Sequence, residues 1–131
     1  MIIFFFDEKF FMYLENVDLC LRAKKKGGKL YIITNSKVHH LGAKAVDNKY
    51  NEVIELSRNW HWMWSKFYFN KKHRGTFISL LLGLTSLLAN FLKYSICLIT
   101  FNKKRNIYRM RASGIMSALL GRQSWYRPEI N

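Results

Sequence analysis

The sequence predicts an α/β fold in the first half of the chain and membrane-associated helices in the second half. Two short β-rich segments, residues 1–6 and 29–33, lie on either side of a stretch whose apolar residues repeat with helical spacing. Later the chain becomes a nearly continuous apolar run, residues 76–101, and then a basic amphipathic stretch. With 131 residues, we expect one domain of ordinary size, or part of one.

Composition favours a folded protein with an anionic partner. Half of the residues are hydrophobic and 16% are aromatic, which excludes a disordered chain because such chains bury too little apolar surface. The 22 Lys and Arg against 8 Asp and Glu give a formal net charge of +14. This excess indicates either phosphate groups or an anionic membrane surface, and charge alone does not choose between them.

The two cysteines and the start of the chain carry less information. Cys20 and Cys97 lie far apart in apolar surroundings and form no CxxC motif, so we expect buried or lipid-facing free thiols in a reducing compartment. The opening MIIFFFDEKF lacks the basic start, the longer apolar run and the cleavage site of a signal peptide. No secretion signal is therefore expected.

The first predicted helix runs from Tyr13 to about Lys26. Leu14, Val17 and Leu21 recur at i, i+3 and i+7, as on one face of an amphipathic helix. A pair of glycines then ends the helix, with three lysines favourably placed in its last turn. The β-rich segment KLYII follows, and TNSKVHHLGAKA after it is predicted to be a loop.

The second half begins with a predicted helix from about Lys49 to Lys72, in which Trp60, Trp64 and Phe67 share one face. Its aromatic residues either pack against the rest of the domain or lie at a membrane surface. Residues 76–101 follow, interrupted by Asn90 and Lys93, and as a helix they would extend roughly 39 Å, enough to cross a bilayer. Basic runs on both sides, KKHR and KKR, give no orientation. A single span, a hairpin, an in-plane helix and a buried core helix all remain open.

One face of the first predicted helix is a candidate for chemistry. Glu15, Asp18 and Arg22 are spaced i, i+3 and i+7, so they project together from one face of the helix. Two carboxylates beside an arginine can keep one of them ionised at neutral pH, as a general base requires. The alternative is a solvated helix face with one ion pair, Asp18 to Arg22.

The run that contains these residues, FDEKFFMYLENVDLCLRAKKKG, resembles the motif FDExFFxYxEDxDLCxRxxxxG near the end of the catalytic domain in family 2 glycosyltransferases, especially the rhamnosyltransferase-like branch. The loop NSKVHHLGAKA is similar to the family's NSxVxHxGGxS. The resemblance covers roughly residues 6–72. It implies that residues 1–72 are the C-terminal portion of a GT-A catalytic domain and that residues 73–131 form a hydrophobic and basic membrane-associated region.

The resemblance also implies roles for particular residues. Glu15 and Asn16 occupy the family's acidic pair, and because an amide cannot take a proton, either Glu15 is the base or activity is reduced or lost. Asp18 is the second expected catalytic carboxylate, and Arg22 supports the acceptor site together with Asn16. His40 matches the histidine near the metal and diphosphate, and neutral imidazole is a common ligand of transition metals such as Mn²⁺. A divalent metal, Mn²⁺ or Mg²⁺, is the expected cofactor.

The implied reaction is transfer of a sugar from a nucleotide sugar to a hydroxyl of a saccharide or polyprenyl-linked acceptor, in cell-surface polysaccharide synthesis. The chain has no DxD motif, so it is expected to lack the donor-binding half and to be inactive unless a separate chain supplies that half. The expected location is the cytoplasmic face of the cell membrane. The alternative is a small basic membrane-bound protein with a non-catalytic binding role; nucleic acid is disfavoured because no nucleic-acid motif is present.

Overall fold

A computed structural model of the chain describes residues 5–39 and 47–128, and these residues are helical or irregular. No strand occurs among them, so the prediction of an α/β fold is wrong. The elements are one turn of 3₁₀ helix, Asn48–Tyr50, and four helices: α1 at Glu15–Lys25, α2 at Asn51–Arg74, α3 at Thr76–Ile99 and α4 at Arg105–Leu119.

The predicted β segment at residues 29–33 is extended chain at the surface. Tyr31, Ile32 and Ile33 are 77%, 94% and 72% exposed. A strand needs a neighbouring strand to bond its backbone and a second layer to cover its apolar face, and the described residues offer neither. Residues 1–4 of the other predicted β segment lie outside the described residues. Because a GT-A domain is built on a sheet, the identification of part of this chain as a GT-A portion is wrong as well.

Helices α2, α3 and α4 each pack against the other two. Gly75 alone joins α2 to α3. The ring of Phe67 on α2 packs on Gly83 of α3, so closely that an added Cβ at Gly83 would lie 2.8 Å from the ring. These two residues are equally far from Gly75 in sequence, so the helices run antiparallel. Helix α4 returns along α3, with Lys93 Nζ lying 5.8 Å from the centroid of the Tyr108 ring.

The core lies between α2 and α4. Trp60, Trp64 and Phe67 share one face of α2, as their spacing predicts, and they pack with Met110 and Ala118. The indole Nε1 of Trp60 donates a hydrogen bond of 3.2 Å across the interface to a serine hydroxyl on α4. The aromatic residues at these three positions therefore stabilise the protein's own fold.

The one residue of α1 that is buried is charged, whereas its predicted apolar stripe is only partly covered. Asp18 is completely buried, whereas Val17 of the predicted apolar stripe is 41% exposed. The chain enters α1 through two residues with left-handed backbone, Tyr13 at φ 69° and Leu14 at φ 67°. The hydroxyl of Ser65 on α2 donates a hydrogen bond of 2.7 Å to the backbone carbonyl oxygen of Met12, which holds this turn in place. An ion pair from Lys72 and a hydrogen bond from His73 to Asp18 fix α1 to α2.

Candidate functional site

A group of charged side chains joins α1 to the last turns of α2. We call Asp7, Asp18, Arg22, Lys72 and His73 the ion cluster. Asp18 accepts from Arg22 Nε at 2.7 Å through Oδ2. Its other oxygen, Oδ1, lies 2.7 Å from both Lys72 Nζ and His73 Nε2. Lys72 Nζ also donates to Asp7 Oδ2 at 2.7 Å, so one ammonium bridges two carboxylates.

The ion cluster keeps both carboxylates ionised at neutral pH. Burial raises the pKa of the Asp18 carboxyl, but the hydrogen bonds from Lys72, Arg22 and His73 outweigh burial, and the pKa lies below its usual value. For Asp7, burial is likewise outweighed by the Lys72 hydrogen bond and by a backbone N–H, and the pKa is again lowered. Both oxygens of Asp18 are engaged by donors, which leaves this carboxylate poorly suited to take a proton from a substrate.

Two further side chains complete the ion cluster's surroundings. The Tyr68 hydroxyl donates to Asp7 Oδ2 at 2.9 Å, and burial, this hydrogen bond and the nearby carboxylates raise the pKa of Tyr68, so it stays protonated. His73 Nδ1 lies 3.4 Å from Lys25 Nζ. Because an ammonium only donates, Nδ1 accepts, and His73 carries its proton on Nε2, the nitrogen that faces Asp18.

The residues that the sequence singled out on α1 have different fates. Asp18 and Arg22 form the predicted ion pair in the ion cluster. Glu15 is partly buried, and its Oε2 is buried with no hydrogen-bond partner among the described residues. Asn16 is exposed, and its Oδ1 accepts from the next backbone N–H at 2.8 Å. His40 lies outside the described residues, and within 5–39 and 47–128 no three His, Cys, Asp or Glu side chains come together as metal ligands.

Sequence reasoning missed a buried histidine that fixes the segment after α4. His61 is fully buried between aromatic rings, with Nδ1 2.8 Å from Ser124 Oγ and Nε2 2.8 Å from the Tyr126 carbonyl oxygen. A carbonyl only accepts, so Nε2 carries the proton and Nδ1 accepts from the serine hydroxyl. Burial and the charge of Arg127 lower the pKa of His61, against the carbonyl hydrogen bond, so the ring is neutral at neutral pH.

Beside the ion cluster lies a cleft with a volume of about 1060 Å³. Three parts of the chain form it: residues 8–11, the second half of α2, and the segment from the end of α4 to residue 127. We call it the basic cleft, because its lining contains five basic side chains and one acidic side chain. The basic residues are Lys9, Lys71, Lys72, Arg122 and Arg127, the acidic one is Glu8, and the aromatic ones are Phe10, Phe11, Trp64, Phe67 and Tyr68.

Among the described residues, four of the five cations of the basic cleft have no carboxylate partner. Lys72 is the exception, since it bridges two carboxylates of the ion cluster. Lys9, Lys71 and Arg122 form no ion pair within the part of the chain that the structure describes. Arg127 donates to backbone carbonyls and lies 3.4 Å from the centroid of the Phe11 ring, and it too forms no ion pair with a described residue. The positive potential of these groups adds up inside the concave surface.

Helix α3 is long and apolar enough to cross a membrane, which partly confirms the expected membrane association. Its polarity is the reverse of a core helix, because the residues that face α2 and α4 are small or polar. Ser79 Oγ and Asn90 Nδ2 are buried and donate to backbone carbonyls of their own helix, each at 2.7 Å. The outward face of α3 is exposed and apolar: Phe77, Leu81, Leu84, Leu88, Phe91, Leu92, Ile96 and Ile99.

Comparison with protein-family models, with curated proteins and with solved structures finds no match to this chain. The identification with family 2 glycosyltransferases is therefore wrong, since no family model supports it and the described residues form no sheet. The acidic residues on which that resemblance rested have a structural use instead, because Asp7 and Asp18 hold the N-terminal segment and α1 against α2.

Proposed function

We propose that this chain is a membrane-attached basic protein with a binding role, held by the outward face of α3 at the cytoplasmic face of the cell membrane. The observation that carries the proposal is the reversed polarity of α3, with small and polar residues inward and large apolar residues outward. In water such a face is costly, at ~25 cal/mol per Å² of apolar surface. Lipid removes this cost, and in membrane proteins small residues characteristically occupy the helix-to-helix side.

The packing of the bundle favours an α3 that lies in the membrane plane over one that spans. Helices α2 and α4 run along α3, and both carry exposed charges, among them Arg58 and Lys66 on α2 and Arg109 on α4. Lys66 lines a small cavity with Ser79 and Gly83, so it lies beside α3. A spanning α3 would draw these charges into hydrocarbon, at ~2.5–3.5 kcal/mol for each at the bilayer centre. In the plane, they stay in water.

The basic runs at the two ends of α3 support the same orientation. Lys71, Lys72 and Arg74 precede α3, and Lys103 and Arg105 follow it. Basic residues on both sides of an apolar segment are hard to reconcile with the rule that favours them on one side of a spanning helix. An in-plane α3 puts both runs at one surface, where each cation near anionic lipid contributes about 1 kcal/mol. The anionic membrane surface is thus the first proposed partner.

Flotation with sealed vesicles tests the proposal. The purified chain, kept soluble in mild detergent and diluted into vesicles, is expected to float with vesicles of mixed phosphatidylglycerol and phosphatidylcholine. Raised salt is expected to weaken the interaction but not abolish it, because salt screens the cations and leaves the apolar contact intact. A chain that stays in the soluble fraction with anionic vesicles at low salt would contradict the proposal.

Sugar transfer from a nucleotide sugar to a saccharide or polyprenyl-linked hydroxyl stays a prediction, as does its divalent metal. A binding role is the better proposal because Asp18, one of the two carboxylates predicted to act, has both oxygens bound by cationic or imidazole donors. Glu15 is the carboxylate left to test. Release of nucleoside diphosphate from a nucleotide sugar by the purified chain, lost in Glu15→Gln, would favour transfer over binding.

A further inference from the structure

We propose that the basic cleft binds a phosphate ester whose organic part is apolar or planar. The proposal deepens the binding role proposed above by naming a site and a ligand class, but it does not depend on attachment of α3 to a membrane. The cleft is formed by residues 8–11, α2 and the segment after α4, none of which belongs to the outward face of α3. The two proposals can therefore fail separately.

The cations of the basic cleft are available to a ligand. In the ion cluster the charges of Asp7 and Asp18 are matched by Arg22 and Lys72, so these carboxylates do not neutralise the rest of the cleft. Lys71 on α2 and Arg122 after α4 come from separate parts of the chain and line the same cleft without a carboxylate partner among the described residues. Cations that converge from several segments on a concave surface favour a compact, highly charged anion such as a phosphate group.

The wall that carries Arg122 is fixed in place. The backbone carbonyl of Arg122 accepts a hydrogen bond of 2.9 Å from the indole Nε1 of Trp64. The backbone N–H of Arg122 donates to the carbonyl oxygen of Ser117 at 3.0 Å. The residues that follow are held by the buried His61, which forms hydrogen bonds to the Ser124 hydroxyl and the Tyr126 carbonyl. A guanidinium on a fixed backbone loses less freedom on binding than one on a mobile tail, which favours binding at this place.

The remaining lining indicates what the phosphate is attached to. The volume of about 1060 Å³ is far larger than one phosphate group needs, and five aromatic residues are among those that line it. Phe11 is 48% exposed, whereas Phe10, Trp64 and Phe67 are buried and present only small parts of their rings. The rings of Trp64 and Tyr68 stack at 5.2 Å between centroids, and the Phe10 ring meets Tyr68 edge to face at 4.9 Å. Such a lining packs an acyl or prenyl chain, or stacks on a planar ring. A lipid phosphate and a soluble aromatic phosphate share this chemistry.

Calorimetric titration of the full-length chain in nonionic detergent tests the proposal. The probes are inorganic pyrophosphate, a short-chain phosphatidic acid below its micelle concentration, and adenosine monophosphate. We expect all three to bind, and the two esters to bind more tightly than pyrophosphate. If phosphatidic acid binds most tightly, the ligand is a lipid phosphate; if adenosine monophosphate does, it is a soluble phosphate. Absence of binding by all three probes, or binding of pyrophosphate as tight as that of both esters, would overturn the proposal.

Matched charge variants locate the site. Replacing both Lys71 and Arg122 by Gln is expected to weaken binding of the esters by about tenfold or more, the loss expected for charge-assisted hydrogen bonds. Lys24→Gln combined with Lys26→Gln removes the same charge from the exposed end of α1 and is expected to change binding by less than about twofold. Equal weakening by the two double variants would overturn the proposal, because it would indicate a diffuse effect of net charge.

Two further variants separate this site from a folding defect and from the membrane proposal. Arg122→Lys keeps the charge and is expected to keep most of the binding, whereas a variant that merely fails to fold would not. Leu88→Glu, on the outward face of α3, is expected to bind the soluble phosphate as the parent chain does. Binding that is lost in Leu88→Glu, with helicity unchanged, would contradict a cleft that works independently of α3.

Discussion

Lys72 Nζ lies 2.7 Å from Oδ1 of Asp18, joining the last turn of α2 to the first turn of α1. The Asp18 side chain is completely buried, whereas 26% of the Lys72 side chain remains exposed. The Asp18 carboxylate is therefore stabilised by its protein partners alone, whereas the lysine ammonium keeps some contact with water. Helix α1 is consequently held to the bundle by charge, with part of its apolar stripe left at the surface.

Replacing Asp18 by Asn is expected to lower the free energy of unfolding by about 2–3 kcal/mol. Breaking a fully buried ion pair costs ~3–5 kcal/mol, and we expect a loss below this range because the Arg22 and Lys72 side chains are about a quarter exposed. Urea unfolding followed by circular dichroism measures the loss. The exposed Glu8→Gln removes the same charge and is expected to cost less than about 0.5 kcal/mol. Equal losses in the two variants would contradict a structural role for the ion cluster.

The stability of the chain is expected to fall as the pH drops below about 6.5, because of His61. The folded pKa of His61 is lowered, so below the usual value of 6.5 the unfolded chain binds a proton that the folded chain does not. The loss is at most about 1.4 kcal/mol per pH unit and continues down to the folded pKa. Urea midpoints at pH 7.5 and 5.5 measure it.

Two histidine variants test this assignment. His61→Gln is expected to be less stable at both pH values but to lose less stability between them than the parent chain. His39→Gln, at an exposed position, is expected to keep the parent's pH dependence. A pH dependence that is unchanged in His61→Gln, or that disappears in His39→Gln, would show that another group carries the effect.

Gly114→Ala is expected to destabilise the bundle by about 1–3 kcal/mol. An added Cβ at this position would lie 2.3 Å from the carbonyl oxygen of Trp60, so α2 and α4 would have to move apart. At a free helical position the same change would stabilise by ~1 kcal/mol. Gly83→Ala is the matched control and is expected to cost less, since its Cβ would meet side-chain atoms of Phe67 and Leu119 rather than backbone. A midpoint of thermal unfolding that is higher for Gly114→Ala than for the parent chain would contradict the close approach of α2 and α4.

The order of the helices and the core face of α2 could be predicted from the sequence, because both depend on local spacing. The predicted segments 49–72 and 76–101 become α2 and α3 with shifts of about two residues at their ends. Trp60 and Trp64 share the face that their spacing indicates. Hydrophobic periodicity is a property of the local sequence, so it predicts a helix and its buried face without knowing which distant residues pack against it.

The strand and the polarity of α1 could not be predicted locally. The segment KLYII has the composition of a strand, but a strand forms only where another part of the chain pairs with it. Whether Asp18 faces water or the interior depends on Lys72 and His73, which approach it only after the chain has folded. Spacing identifies a cluster of acids around Asp18 without revealing their partners, so from sequence alone the motif resembles a site.

The membrane contact is expected to depend on single residues of the outward face of α3. Leu88 is 68% exposed there, and burying one leucine contributes ~1.5–3 kcal/mol. Leu88→Glu is therefore expected to weaken binding to anionic vesicles by about tenfold or more. Val38→Glu makes a similar change at an exposed position outside α3 and is expected to reduce binding far less. Flotation across a lipid titration measures both, and equal effects would contradict a contact confined to α3.

Cysteine labelling from one side of sealed vesicles tests the in-plane orientation of α3 most directly. Single cysteines are introduced at Thr76 and at Thr100, the two exposed ends of the helix, in a background with Cys20→Ser and Cys97→Ser. The protein is added to preformed vesicles and treated with a membrane-impermeant maleimide. An in-plane α3 predicts that both positions react from the outside. Reaction of one position only after detergent opens the vesicles would contradict the account, because that result requires a helix that spans the bilayer.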